Sequence, residues 1–333
     1  MDFSKRFGKH VLDEFTFESG RVLKDVEVEY TTFGEPKHDA DGNIINAVVF
    51  CPNMGGSQNL FQDIIPNSGF SLKHDDLFYI IITSLGTPES CSPSTTGLKL
   101  NFPDYNFRDR VNFQKRFLQE KFNITNVLGV VGEGLGGYEV FTWACEFPDD
   151  MEFIIVFNSS YATTGYRYVI SKGLESIIHS SDDFESDVYS PSLNKLIVSI
   201  NKLLFSYYFS ENIFANLSND EIDIMMDEYV DDGLFWDIYD FKIRNDCVLN
   251  YDLTDKLCNI KAKSLFINSE DNPAFTPKHD LIPLKELIKD SEVFILKSKR
   301  DSIYDGEDYS ELTKKLAEFS LPFIKKMLEA SID

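Results

Sequence analysis

Positive charge, cysteine pairs and long apolar segments are scarce in this sequence. Lysine and arginine number 32 against 55 aspartates and glutamates, which gives a net charge of −23. Such a field repels phosphate backbones and anionic lipid heads, so we expect neither nucleic acid nor a membrane as a partner. The five cysteines include no C-x-x-C pair, a pattern typical of reduced thiols in a cytoplasmic protein. The longest strongly apolar stretch, residues 196–209, is too short and too polar to span a bilayer.

Short apolar runs alternate along the chain with helical patterns. The runs occupy residues 26–32, 47–51, 77–82, 127–131, 153–157, 264–267 and 293–296, and the helical patterns occupy residues 108–121, 136–146, 278–288 and 309–330. Continuous runs rich in β-branched and aromatic residues favour buried strands, and their alternation with helices predicts a doubly wound, mostly parallel sheet. Residues 161–252 hold helical segments and no clear strand. This predicts a helical cap over the carboxyl ends of the strands, where ligands of such sheets bind.

The most informative segment is an apolar strand, a glycine-rich turn and a helix over residues 127–146. Its form is that of the nucleophile elbow, G-x-S-x-G, in which small flanking residues permit a tight turn. Gly132 and Gly136 keep the small flanks, but the central position is Gly134, which has no side chain. A dinucleotide-binding loop is the alternative, since residues 132–137 nearly match G-x-G-x-x-G. Glu133 disfavours that alternative because it would point negative charge at a diphosphate.

Several further segments extend the match to a family. They are residues 15–23, 30–34, 76–82, 92–94, 102–114, 136–149, 236–252 and 267–277. In order and spacing they resemble the homoserine O-acetyltransferase family of the α/β-hydrolase superfamily over nearly the whole chain. The resemblance implies an α/β-hydrolase fold with a mostly parallel central sheet and helices on both faces. It implies a core of residues 1–160 and 250–333, a helical cap of residues 161–249, and a homodimer.

The family's Ser–Asp–His triad is incomplete when it is carried over to this sequence. The serine position falls on Gly134, and the acid position falls on Asp271, with Glu270 one residue away. The histidine position lies in the loop after the last strand, where it falls on Arg300 or Tyr304, depending on register. That loop contains no histidine.

Other parts of the machinery remain as candidates. Backbone amides supply an oxyanion hole, and the resemblance places one donor at Leu135 and another in the segment of Asn53 and Met54, which could equally be a tight turn. Glu133 is an alternative general base. Cys51 is an alternative nucleophile, but a small buried filler is the favoured interpretation because no histidine is evident to activate the thiol.

The lost triad predicts a pseudoenzyme that binds or scaffolds without serine-dependent chemistry. The alternative is an active hydrolase, acyltransferase or lyase that acts on a small ester or acyl substrate with relocated catalytic residues. His279, the histidine nearest to the acid loop, is predicted to be a surface residue. We expect no cofactor and no metal, a small apolar or acyl ligand, and a homodimer or a paralogous partner in the cytoplasm.

Overall fold

An eight-stranded sheet forms the centre of the computed structural model, which describes residues 6–53, 76–185, 189–297 and 309–330. The strands are β1 (Arg6–Thr16), β2 (Val22–Phe33), β3 (Ala47–Cys51), β4 (Phe78–Ile82), β5 (Val127–Glu133), β6 (Met151–Phe157), β7 (Lys263–Ser269) and β8 (Ser291–Leu296). Their spatial order is β1-β2-β4-β3-β5-β6-β7-β8. Strands β3 to β8 run parallel to one another, whereas β2 pairs antiparallel with both β1 and β4. The predicted doubly wound, mostly parallel sheet is confirmed.

Helices cover both faces of the sheet and fill the segment between β6 and β7. The α-helices are α1 (Phe107–Phe122), α2 (Leu135–Glu146), α3 (Gly165–Ile178), α4 (Asp182–Glu185), α5 (Pro191–Tyr208), α6 (Glu211–Phe214), α7 (Asn219–Gly233), α8 (Ile238–Leu249), α9 (Leu284–Leu287) and α10 (Tyr309–Ala330). Successive strand residues point to opposite faces. Val49 and Val130 therefore join one hydrophobic cluster with α1 and α2, and Val48 and Val131 join the other with α10.

The helical insertion, residues 165–249, leaves the sheet after β6 and returns before β7. Its base is closed by an antiparallel bridge between Ala162 and Asp252, and the Thr163 amide donates to the Tyr251 carbonyl at 2.8 Å. Within its described residues it holds helices and no strand, as the sequence predicted. Its division from the core as a separate cap over residues 161–249 stays a prediction. Among the described helices, none combines the length and apolar character needed to cross a membrane.

Two sequence-based assignments differ from the structure. Strand β1 was not among the strands predicted from apolar runs, because its side chains are mostly exposed and its core contribution comes from Leu12 and Phe15. The helix predicted over residues 278–288 is broken into a π-helical turn, Pro277–Leu281, and the short α9. Pro283 lies between them, and proline disrupts a helix interior because it lacks the amide hydrogen and its ring clashes with the preceding turn.

A buried ion pair joins α1 to α2. Arg110 Nε lies 2.7 Å from Glu139 Oε1, and both side chains are almost completely excluded from solvent. The Gln114 side-chain amide donates to the other oxygen of Glu139, and the Cys51 thiol contacts Gln114 Oε1 at 3.7 Å. These contacts link both helices to the end of β3.

Breaking this pair should destabilise the fold strongly. Glu139→Ala leaves the Arg110 guanidinium buried without its carboxylate, and we expect a loss of about 3–5 kcal/mol in the free energy of unfolding measured with urea. The double variant Arg110→Met/Glu139→Leu should recover most of this loss, because it removes both charges. Arg116→Ala, which breaks the exposed pair with Glu120, serves as control and should cost less than about 1 kcal/mol. Equal losses in Glu139→Ala and Arg116→Ala would contradict this assignment.

A buried carboxylate holds α8 to the loop that follows β4. Asp240 is 1% exposed, and its two oxygens accept from the Ser94 amide at 2.8 Å and from the Ser94 hydroxyl at 2.5 Å. Burial raises the pKa of Asp240 to about 6, although the Ser94 bonds act in the opposite direction. The native state therefore retains a proton that an exposed aspartate, with a pKa of about 4, has already lost.

This carboxylate should make stability depend on pH in an identifiable way. Between about pH 4 and 6 the native state binds more protons at Asp240 than the unfolded state, so the free energy of unfolding falls as pH rises through that window. Asp240→Asn lacks this pH-dependent contribution to the free energy of unfolding, because asparagine does not titrate. Its stability relative to the unmodified protein should rise by about 2–3 kcal/mol between pH 4 and 7 in urea titrations. A stability difference that stays constant with pH would show that Asp240 does not titrate in this range.

Candidate functional site

The turn between β5 and α2 has elbow geometry at Gly134. Its dihedral angles are φ +54° and ψ −119°, a conformation that glycine adopts without steric cost. The Gly134 amide lies 3.2 Å from the carbonyl oxygens of both Phe157 and Asn158, and the Ser159 hydroxyl donates to the Gly134 carbonyl at 2.7 Å. The turn is therefore fixed by the residues that end β6 as well as by its own glycine.

Close backbone contacts explain the two flanking glycines. A Cβ atom on Gly136 would overlap the carbonyl oxygen of Cys51 at the end of β3, and one on Gly132 would overlap the Gly136 carbonyl. Cys51 pairs with Gly132 in the parallel register of β3 and β5. The first turn of α2 thus presses against the carboxyl end of the neighbouring strand, which places the turn at the ligand-binding edge of the sheet.

The side chain of Asn53 occupies the space in front of this turn. Asn53 Oδ1 accepts a hydrogen bond from the Leu135 amide at 3.3 Å. It also lies where a Cβ atom on Gly134 would sit. Sequence reasoning placed a backbone donor of the oxyanion hole near Asn53 and did not anticipate this side-chain contact. The Leu135 amide, the other predicted donor, is already engaged by that side chain, which also disfavours a diphosphate at the same position.

The predicted acid lies in an exposed turn after β7. Asp271 Oδ2 accepts from the side-chain amide of Asn212, in α6, at 2.9 Å. Glu270 is also exposed. The turn is ordered by the buried Asn272, whose Oδ1 accepts from the amides of Ala274 and Phe275 at 3.0 and 2.8 Å. The hydrogen bond of Asp271 therefore joins this turn to the helical insertion.

Some predicted positions fall outside the described residues or away from the elbow turn. Met54, Arg300 and Tyr304 lie outside the described ranges. His279 is exposed in the π-helical turn after β7, which confirms its assignment to the surface. In the described part of the chain, no group of three or more histidine, cysteine, aspartate or glutamate side chains is arranged to hold a metal ion.

The two alternative reactive groups are both buried. Glu133 ends β5 at 6% exposure, and its charge is one of the smaller contributions that, after burial, raise the pKa of Tyr208. Cys51 is fully buried, and burial raises the pKa of its thiol well above the usual value, with the Glu139 charge adding to the shift. The thiol therefore stays protonated and unreactive, as expected for a buried filler.

A cavity of about 50 Å³ lies between Leu135 and helices α3, α5 and α8 of the helical insertion. Arg167 lines it and forms a buried ion pair with Asp280, with Nη2 and Oδ1 2.7 Å apart. The same guanidinium donates to Ser160 Oγ at 2.9 Å and to the Ala162 carbonyl at 3.0 Å. Sequence reasoning missed this pair, because its partners are far apart in sequence and match no motif.

Comparison with known proteins identifies the family. A family model described as the alpha/beta hydrolase fold matches residues 46–307. The chain belongs to the α/β-hydrolase family. This α/β-hydrolase is 34% identical to a probable acyltransferase of Methanothermobacter thermautotrophicus over 290 residues. The aligned region covers 86% of this chain and 89% of the relative.

The resemblance to homoserine O-acetyltransferases is also confirmed. An enzyme of that name from Sulfurimonas autotrophica is 27% identical over 210 residues, which cover 57% of this chain and 55% of the relative. The crystal structure of homoserine O-acetyltransferase from Bacillus anthracis matches with a TM-score of 0.82 at 18% identity, covering 96% of this chain and 98% of that one. The predicted α/β-hydrolase fold is thus confirmed, and this α/β-hydrolase is similar to acetyltransferases.

A serine at the elbow should be costly in this α/β-hydrolase. In Gly134→Ser the new Cβ overlaps Asn53 Oδ1 and the backbone keeps its positive φ, so we expect a loss of about 1–3 kcal/mol in urea unfolding. In the Asn53→Ala background the same substitution should cost less, because only the backbone strain remains.

Gly165→Ser is the matched control for backbone strain. Gly165 has a φ of +57°, and a Cβ there meets nothing within 4 Å. Its loss should equal that of Gly134→Ser measured in the Asn53→Ala background. A coupling energy of zero between positions 53 and 134 would contradict the overlap.

Proposed function

We propose that this protein is a non-catalytic member of its family, which holds a small apolar or acyl ligand between the elbow and the helical insertion. Under this proposal the protein does not carry out serine-dependent acyl transfer, but it still binds a ligand at the carboxyl edge of the sheet. A homodimer or paralogous partner and a cytoplasmic location, both expected from the sequence, belong to the same proposal and stay predictions.

One observation carries the proposal: a single asparagine side chain fills two positions that the covalent mechanism requires. Acyl transfer by this fold needs a hydroxyl at the centre of the elbow and a free amide on the following residue to bind the oxyanion. Here Gly134 provides no hydroxyl, and Asn53 Oδ1 both accepts the Leu135 amide hydrogen and lies where the nucleophile's Cβ would be. An acyl group at this turn would have to displace the Asn53 side chain before the Leu135 amide could polarise the acyl carbonyl.

The size of the lost catalysis supports the same conclusion. Removing the serine or the histidine of a serine hydrolase lowers turnover by about 10⁶, equivalent to roughly 8 kcal/mol of barrier. A residual acceleration from an oxyanion hole needs its donors to be available. Since the Leu135 amide already donates a hydrogen bond to Asn53, we expect even this residual activity to be small.

Assays of the purified protein test the proposal. With p-nitrophenyl acetate, and with acetyl-CoA plus homoserine, release of nitrophenolate and of free thiol should not exceed that given by Glu133→Ala or Cys51→Ala. A fluorophosphonate probe should label no serine stoichiometrically. Turnover by the unmodified protein above that of these variants, or one labelled serine per chain, would overturn the proposal.

The second candidate is an active acyltransferase or hydrolase with relocated groups. The name of the relative from Methanothermobacter thermautotrophicus, a probable acyltransferase, favours it. The group best placed for such chemistry is Glu133, which adjoins the elbow and could act as a general base. Under this candidate Glu133→Ala loses turnover while Cys51→Ala keeps it, so the same assays separate the two functions.

A further inference from the structure

Arg244 is a buried cation that forms no ion pair with any residue in the described part of the chain. It lies in α8, is 4% exposed, and lines the cavity next to Leu135. Its guanidinium carbon lies 5.2 Å from the ring centre of Phe241 and 5.5 Å from that of Trp236. Among the described residues it forms neither an ion pair nor a hydrogen bond. Aromatic faces attract a cation but leave its five N–H donors without acceptors.

The other buried arginines show what Arg244 lacks. Arg110 has Glu139 at 2.7 Å, and Arg167 has Asp280 at the same distance. Asp240 is four residues before Arg244 on α8, where a partner would be expected, but its two oxygens accept from Ser94. Burial lowers the pKa of Arg244, the charges of Tyr105 and Asp240 act in the opposite direction, and the nearby Arg110 charge lowers it further. A buried charge without a close counterion is destabilising, so an anion in the cavity would relieve it.

The remaining walls and the volume limit the size of that anion. Apolar side chains line most of the cavity, among them Leu135, Leu174, Leu204 and Phe275. The second cation of the cavity, Arg167, is already neutralised by Asp280. A cavity of about 50 Å³, at about 10–15 Å³ for each water, has room for about three to five waters. That corresponds to a carboxylate group with one to three further carbons.

We propose that the ligand of this cavity is a short-chain monocarboxylate, such as acetate, propionate or butyrate, whose carboxylate pairs with Arg244 and whose tail lies against the apolar wall beside Leu135. The proposal deepens the proposed function because it names the ligand class of the same site. Planar, bidentate recognition of a carboxylate is what a guanidinium provides better than an ammonium.

Titration calorimetry with sodium propionate and sodium butyrate, at matched sodium chloride, tests the pairing directly. We expect binding with a dissociation constant near or below the millimolar range, as suits four to six heavy atoms. Propionamide, which has the same shape without the charge, should bind at least about tenfold more weakly. Equal affinity for the acid and the amide would overturn the role of Arg244.

Two variants separate a ligand site from a structural role. Arg244→Met should weaken propionate binding at least about tenfold, yet its melting temperature in ligand-free buffer should equal or exceed that of the unmodified protein, because an unpaired buried charge has been removed. Arg116→Met, which changes an exposed arginine, should leave binding unchanged. Unaltered propionate affinity in Arg244→Met, or a large fall in its ligand-free melting temperature, would show that Arg244 is not an anion-binding residue.

These outcomes are independent of the turnover assays. If the protein binds propionate through Arg244 but also hydrolyses esters, this inference stands and the proposed function is wrong. If it shows neither turnover nor carboxylate binding, the non-catalytic assignment stands and the ligand class is wrong.

Discussion

The contact between the first turn of α2 and the carboxyl end of β3 is the constraint on which the site depends. Gly136 packs so closely on the Cys51 carbonyl that no side chain fits, and Gly132 also packs closely on Gly136. This contact fixes the position of the β5–α2 turn, in which Gly134 has a positive φ. It also brings Asn53, two residues beyond β3, against the turn.

The same packing decides which atoms occupy the space at this turn. The space that a serine would need holds Asn53 Oδ1, and the amide that would bind an oxyanion donates to that atom. Glycine relieves backbone strain at the turn, and asparagine satisfies a helix-terminal amide that would otherwise need another acceptor. Stability and catalysis make opposite demands here, because a preorganised oxyanion hole keeps a donor free until the substrate arrives.

Buried charge provides the second theme of the molecule. Arg110 with Glu139 ties α1 to α2, and Arg167 with Asp280 ties the helical insertion to the turn after β7. Asp240 joins α8 to the loop after β4 through Ser94. The two ion pairs are compensated within the protein, whereas among the described residues Arg244 forms no ion pair and has aromatic rings beside it. The Asp240 charge acts on Arg244 from one helical turn away, but the oxygens of Asp240 are bound by Ser94.

The sequence by itself determined the parallel strands, the glycine-flanked turn and the glycine at its centre, because buried runs, close glycine flanks and the central residue are all local patterns. It missed β1, whose exposed face carries little apolar signal, and it misjudged the helix interrupted at Pro283. Only the tertiary structure decided that Asn53 fills the elbow and that Asp271 contacts Asn212. It also decided that Arg167 meets Asp280, while Arg244 pairs with no carboxylate among the described residues. These contacts join residues from distant parts of the chain, and no short-range periodicity encodes which side chains a fold brings together.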